Sequence, residues 1–473
     1  MRRETLLDFF RDIAQHEEEF VVYDDGYRSR TYTYAEVTNA AHAFSERLRA
    51  SGFRKEDKVL IWSENRPEWL IALWGCLLEG VVVVPVDYRA SADLLQRVHN
   101  VSQASLLLVG DEVPGAPLDT QTPVWRLSSM SGMNLPHPSE SREAGRIDKD
   151  DIAEILFTSG ATAEPKGVVI THRNVLANIV PVEREVLKYR KYSRPFAPIR
   201  FLNLLPLSHM FGQAMATFIP PMLPGTVVFM RGYNPAEIIR QIRSRRVSVL
   251  VCVPKILDVL REHVLRTFPE AVGPASDELH WILRWWRYRK IHRMFGFKFW
   301  SFVVGAAPLD PGLEEFWSRL GFLVIQGYGL TETAPIVSLN HPFRARRGTV
   351  GKPIAGVEVK ISPEGEILVR GENVTSGYYN AKHETAEAFR DGWFHTGDRG
   401  PIDESGRLHI HGRKKEMIVT PEGLNVFPED VEHVLNEQEG VQDSAIVAAA
   451  EGGKERVHAV LVLRNGADPN EIL

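Results

Sequence analysis

The side chains most able to do chemistry sit together in Thr158-Ser159-Gly160-Ala161-Thr162-Ala163-Glu164-Pro165-Lys166-Gly167. Thr158, Ser159 and Thr162 carry hydroxyls that can donate to anionic oxygens, the small residues let backbone N–H groups come close, and Lys166 supplies a countercharge. Apolar runs flank the stretch, Ile155-Leu156-Phe157 before it and Val168-Val169-Ile170 after it. A strand, a turn and a second strand would present it as a loop wrapped on a phosphate. It is not the nucleotide loop in which Lys is followed by Ser or Thr, because Gly167 follows Lys166. The plainer alternative, less favoured, is an ordinary polar turn between two strands.

A second constellation follows from geometry. Residues 299–304 read as a strand, Gly305-Ala306-Ala307-Pro308 as a turn, 310–320 as a helix capped by Asp310 with Pro311 in its first turn, and 322–325 as the next strand. A right-handed crossover makes the two strands parallel, so their carboxyl ends open on one edge of a sheet, where open α/β folds bind ligands. At those ends stand Gly305, Ala306 and Ala307, and the octapeptide Gln326-Gly327-Tyr328-Gly329-Leu330-Thr331-Glu332-Thr333. Tyr328 offers an aromatic plane for a base such as adenine, Thr331 a hydroxyl for phosphate, and Glu332 a hard oxygen ligand for Mg²⁺. A structural Tyr beside a solvated Glu is the plainer alternative. His209, in Leu204-Leu205-Pro206-Leu207-Ser208-His209-Met210-Phe211-Gly212-Gln213, is by itself more simply a satisfied structural group among apolar neighbours.

These residues need elements to hold them, and the chain supplies alternating ones. An amphipathic helix is expected over 5–15 with Leu6, Phe9, Phe10 and Ile13 on one face, then a helix over 35–50, a strand over 58–62, a helix over 67–78 and a strand over 81–86. Strands alternating with helices imply a mostly parallel sheet covered on both faces. The apolar stretch 69–86 imitates a membrane span, but Glu79-Gly80 divides it into a buried helix and a core strand. Residues 110–147, rich in Pro, Ser and Gly, read as a surface connection, and Thr171 as the cap of a helix through Val180. Beyond Pro335, short alternating strands (357–361, 366–370) with Gly-rich turns suggest a small barrel-like or twisted sheet. A helix over 428–438 and strands over 444–449 and 457–463 follow.

In this order, the segments resemble the adenylate-forming (AMP-binding) superfamily of acyl-CoA synthetases, aryl-CoA ligases, luciferases and nonribosomal adenylation domains. The resemblance runs from about Thr31 to Leu473 and rests on five ordered motifs: the phosphate loop, Pro206-Leu207-Ser208-His209, the Gly305 and Gln326 segments, Gly392-Trp393-Phe394-His395-Thr396-Gly397-Asp398, and Gly412-Arg413-Lys414-Lys415-Glu416-Met417-Ile418-Val419. The family has Thr or Ser where Ala161 stands and Gly where Ala163 stands. The resemblance implies that the phosphate loop, the Gly305 to Ala307 turn and the Gln326 to Thr331 segment bind ATP or AMP, and that Lys166, His209, Thr331 and Glu332 act on the reacting groups. It also implies that Thr158 and Glu332 hold the metal, that His209 meets the substrate carboxylate, and that Asp398 and Arg413 reach the ribose. Lys415 would be the hinge of a mobile domain, and Gly423 would line the path of the CoA thiol. ATP, Mg²⁺ and CoA are the expected cofactor and co-substrates. The implied fold is α/β: a large part over 1–411 with two helix-flanked, mostly parallel sheets and a β-rich subdomain about 335–411, then the start of a small α+β domain over 412–473. Tyr378, Tyr379 and Arg370 also match family positions and read first as structural.

Composition agrees with an enzyme of this kind. The 473 residues are 44% hydrophobic and 25% charged, and the net charge of −5 argues against a general nucleic-acid binder. Cys76 and Cys252, each in an apolar run, suggest buried thiols in a reducing compartment; Met1 to Phe20 lacks the apolar core of a signal peptide, so a cytoplasmic setting is expected. The stretch 281–300 interleaves Arg284, Arg287, Arg289, Lys290, Arg293 and Lys298 with Trp, Tyr and Phe. Helical spacing places Trp281, Trp285, Tyr288, His292 and Phe295 on one face, favouring inward packing; a peripheral membrane patch and a site for the CoA 3′-phosphate are the other readings. Similar Trp/Arg-rich stretches occur in long-chain fatty acyl-CoA synthetases, so the resemblance points to a fatty acid or another carboxylic acid as substrate. In relatives the small domain runs further and ends with a Lys; here the expectation is a shortened chain or a longer parent protein with a fused downstream domain.

Overall fold

The computed structural model describes residues 3–113, 121–130, 146–158, 165–193, 197–272, 284, 286–341, 346–414, 418–419, 425–426, 428–436, 438, 440–451 and 454–463. Ser159, Gly160, Thr162, Lys415 and Gly423 lie outside them.

Two large sheets carry the molecule. The first runs Lys352–Pro353, Ser338–Leu339, Leu323–Tyr328, Ser301–Val304, Val249–Cys252, Arg200–Asn203, Thr226–Met230, Glu19–Asp24, Ser29–Thr33 in spatial order. Its six middle strands are parallel, and both margins turn antiparallel. The second runs Val124–Arg126, Leu106–Val109, Lys58–Ser63, Val82–Asp87, Ile152–Thr158, Lys166–Thr171, parallel except for its last hairpin.

Alternation along the strands explains how the two sheets stack. Val59 and Ile61 face one core together with Val227, Phe229, Val249 and Val251 of the other sheet. Helices Leu6–Ile13, Tyr34–Ala50 and Pro67–Glu79 fill that space with Phe9, Phe10, Phe44, Trp69 and Trp74. The intervening Leu60 and Trp62 point outward under helix Ala92–Ser102, while Val228, Leu250 and Cys252 point outward under helices Pro235–Ser244, Pro254–Thr267 and Pro311–Arg319. A period of two therefore yields five layers, helix, sheet, helix, sheet, helix.

The local signals behave as expected. Thr33 and Glu36 form a capping box, Gly80 ends Pro67–Glu79 at φ 67° where a side chain would be strained, and Asp310 Oδ1 accepts from Leu313 N at 2.7 Å. Helix His172–Ser193 runs past Val180 through an internal Pro181, and Thr171 caps it by accepting from Asn174 N at 3.2 Å. The membrane-like stretch is a buried helix and strand, and no described helix is long and apolar enough to cross a membrane. Both thiols are buried, which pushes their pKa values up.

Two expectations need correction, and one alternative falls away. The connection 110–147 contains an edge strand, Val124–Arg126, whose three residues are too short for periodicity to reveal; Leu127 and Met130 behind it are fully buried. The barrel-like sheet is open: Val357–Ile361, Glu366–Gly371, Trp393–Arg399 and Phe389–Arg390 form an antiparallel run, with Gly412–Arg413 added on Trp393–Arg399. The aromatic-basic stretch packs inward in its described part. Tyr288, His292, Phe295 and Phe299 are buried against Trp317 and Phe322, and His292 Nε2 lies 2.8 Å from Leu320 O. The membrane reading is not borne out there, although Trp286 and Phe297 remain exposed.

Candidate active site

Strands Ile152–Thr158 and Lys166–Thr171 pair antiparallel, with Thr158 directly opposite Lys166 at the mouth of the phosphate loop. Segment 375–379 lies along the outer edge of this hairpin, with Val168 bridging Tyr378, Tyr379 N donating to Gly167 O at 2.7 Å, and Val169 N donating to Gly377 O at 3.2 Å. That edge contact puts the Tyr378 ring under Lys166, whose Nζ is 5.6 Å from the ring centroid. The Tyr378 hydroxyl donates to Glu332 Oε1 at 2.9 Å, and Thr375 N donates to Glu332 O at 2.8 Å. Glu332, carried by the first sheet, is thus tied to a hairpin that belongs to the second.

The predicted crossover is present. Ser301–Val304 and Leu323–Tyr328 are parallel in register, Val304 opposite Gln326. Gly305 follows at the strand end, where a Cβ would lie 2.7 Å from the Phe211 ring, and Ala306 adopts φ 66°, a conformation that costs an alanine about 1–2 kcal/mol. Gly329 allows a tighter approach: a Cβ there would sit 1.7 Å from Pro335 O. The chain then enters the short turn Thr331–Thr333, which places Glu332. From the small sheet, Asp398 accepts the Tyr328 hydroxyl on Oδ2 at 2.6 Å and lies 3.4 Å, through Oδ1, from Arg413 Nε, its cross-strand partner.

Burial dominates the electrostatics. It raises the Tyr328 hydroxyl well above its ordinary pKa, with the Asp398 charge adding to the effect. It also raises the Glu332 carboxyl, against the pull of the Tyr378 hydrogen bond and of Arg413. Mg²⁺ typically takes one or two protein carboxylates plus phosphate oxygens, so Glu332 with the Thr158 hydroxyl fits it; no cluster of three or more His, Cys, Asp or Glu exists among the described residues.

His209 caps the short helix Met210–Gln213 at the end of strand Arg200–Asn203. Its N–H donates to Pro206 O at 3.1 Å, and a Cβ on Gly212 would meet that same carbonyl at 2.1 Å, so the turn closes only around glycine. The imidazole Nε2 stands 4.0 Å from Asp87 Oδ2, and Asp87 is clamped by Arg89 Nε at 2.9 Å and Nη2 at 2.8 Å. Desolvation holds the His209 pKa below its ordinary value, with Asp87 opposing.

The structure thus gathers Thr158, Lys166, Glu332, Tyr328, Asp398 and Arg413 into one run of contacts spanning three sheets. Sequence reasoning missed the part Tyr378 plays here, because a Tyr after Gly looks structural until its hydroxyl is seen on Glu332. It also missed Asp87, whose only signal is its place at a strand's carboxyl end. Arg370 is structural as expected, stacked 4.5 Å from the Trp393 ring at the surface.

The model of the AMP-binding enzymes matches residues 9–379. A long-chain-fatty-acid–CoA ligase of Mycobacterium bovis is 30% identical over 467 residues, 88% of this chain and 75% of that protein, and a feruloyl-CoA synthase of Amycolatopsis is 28% identical over 456 residues, covering 93% and 86%. Among solved structures, the O-succinylbenzoate coenzyme A synthetase of Bacillus subtilis in complex with ATP and magnesium ion is 25% identical with a TM-score of 0.78, covering 98% of this chain and 91% of that one. The chain belongs to the AMP-binding enzymes, as an AMP-forming acid–thiol ligase.

Proposed function

We propose that this ligase activates a medium- to long-chain fatty acid as its acyl-adenylate and passes the acyl group to CoA. The observation that carries the reading is the pair of carboxylates, half-buried Glu332 and buried Asp398, which accept from the hydroxyls of Tyr378 and Tyr328 respectively. One carboxylate faces the phosphate hairpin and the other faces outward toward Arg413. A nucleotide fits between them, with its ribose hydroxyls on Asp398 and Arg413, its base against Tyr328 and the strand-end segments Gly305 to Ala307 and Gln326 to Gly329, and its phosphates toward Lys166, Thr331 and the phosphate loop.

Two anions must meet in this cleft, the substrate carboxylate and the α-phosphate. Glu332 and Thr158 would hold Mg²⁺, which when bound neutralises phosphate charge and orients the displacement. Lys166 adds a fixed cation, and His209 orients the incoming carboxylate. A carboxylate oxygen attacks the α-phosphorus and the bond to pyrophosphate breaks, giving acyl-AMP. In the second step the CoA thiol, losing its proton, attacks the acyl carbon, and the C–O bond to AMP breaks. Residues 412–473 act as a small domain that turns about Lys415 between the steps and brings the Gly423 loop to the thiol path.

The fatty-acid assignment draws on the mycobacterial long-chain ligase. An aromatic acid is the second reading, favoured by the feruloyl-CoA synthase at nearly equal identity. Pyrophosphate release is the test, with fatty acids of graded length set against aromatic acids and thioester formation then followed with CoA. Release with fatty acids only is the expected result; release with aromatic acids only would replace the substrate, and binding of ATP and acid with no release would demote the chain to a binding module.

A further inference from the structure

The loop around His209 is held from both sheets: Asn203, on the first, accepts from Leu205 N on Oδ1 at 3.2 Å and donates from Nδ2 to Gly212 O at 3.2 Å, and the second contributes Asn65. Asn65 follows strand Lys58–Ser63 at its carboxyl end. Its side chain straddles the loop before His209: Nδ2 donates to Leu205 O at 2.7 Å and Oδ1 accepts from Leu207 N at 2.8 Å. The amide thus completes a bridge that a neighbouring strand would otherwise supply. The backbone on either side of Asn65 is immobilised by a buried ionic knot, since Arg66 Nη1 meets Glu64 Oε1 at 2.9 Å and Asp111 Oδ2 at 2.8 Å, and Arg66 Nε meets Glu68 Oε2 at 2.8 Å. Glu64 Oε1 also accepts from Asp111 N at 3.2 Å. On the next strand of the same sheet, Asp87 stands 4.0 Å from the imidazole.

We infer that Asn65 is a positioning residue for adenylation: its two hydrogen bonds set the loop, and hence His209, relative to the carboxyl edge of the second sheet. This rests on the proposed role of His209 in the first half-reaction. Loss of the clamp frees Leu205 O and Leu207 N, with Leu205 N still held by Asn203, while the phosphate hairpin, Glu332 and Asp398 keep their own contacts. A displacement of about an ångström of a group that orients a reactant costs up to about 100-fold in rate.

The test is a double-mutant cycle on the full chain, read as pyrophosphate release at saturating ATP with an acid that the unaltered protein accepts. Asn65→Ala is expected to lower kcat about 10- to 100-fold, with the KM for ATP within about twofold. In a His209→Ala background the same change is expected to cost less than about twofold, because the group it positions is gone. An equal loss in both backgrounds, or no loss in either, overturns the inference. Asn65→Asp guards against poor folding: it is isosteric and keeps the acceptor for Leu207 N, but sets a carboxylate oxygen against Leu205 O, so it must also lower kcat, with the same dependence on His209. Silence of the unaltered protein toward every acid would instead strike the functional proposal.

Discussion

Glu154 lies on strand Ile152–Thr158, four residues before Thr158, with 1% of its surface exposed. Its one described hydrogen-bond donor is Gln213 Nε2 at 2.8 Å. Burial raises its pKa from the ordinary 4.5 to about 7. At about 1.4 kcal/mol per tenfold change, this corresponds to about 3 kcal/mol. The folded carboxyl binds its proton more tightly than the unfolded one, so its stabilising effect is complete below pH 4.5 and is lost as pH rises through about 7. Glu154→Gln keeps the shape and an acceptor for Gln213 but does not titrate. Urea unfolding of both proteins from pH 4.5 to 8 should show Gln gaining on Glu by about 3 kcal/mol across that range, while every other titrating group cancels in the difference. A difference that stays level with pH would refute the burial of a titrating carboxyl between the sheets.

His172 should impose the opposite slope. Its buried Nδ1 accepts from Leu6 N at 3.2 Å, and desolvation lowers its pKa from 6.5 to about 4, so stability is lost as pH falls from 6.5 toward 4. Hydrogen exchange should report the loss in helix Leu6–Ile13, and His172→Asn, which offers a non-titrating acceptor, should flatten it. Tyr378→Phe strips the half-buried Glu332 of a donor, and adenylation should fall about 10- to 100-fold with little change in unfolding midpoint; an unchanged rate would release Tyr378 from the site. On the proposed ribose contact, Asp398→Ala should raise the KM for ATP at least about tenfold, read in pyrophosphate release, since the ribose hydroxyls would lose a charged acceptor. Gly329→Ala drives a Cβ into Pro335 O and should lower stability and displace Glu332 together.

What the amino-acid order determined alone is whatever depends on neighbours along the chain. The strand-turn-strand around Lys166, the crossover that opens Gly305 and Tyr328 on one edge, and the division of the stretch 69–86 at Gly80 all follow from periodicity and caps a few residues long. Strands alternating with helices along the chain even foretold two covered faces. Tertiary structure alone decided the rest, because those contacts join distant segments. Tyr378 reaches Glu332 only since 375–379 pairs with the edge of Lys166–Thr171, and Asn65 reaches Leu205 and Leu207 only since two sheets bring their carboxyl edges together. Such meetings depend on how layers stack, and the stacking arises from side chains scattered over the whole core, which no local window of sequence contains.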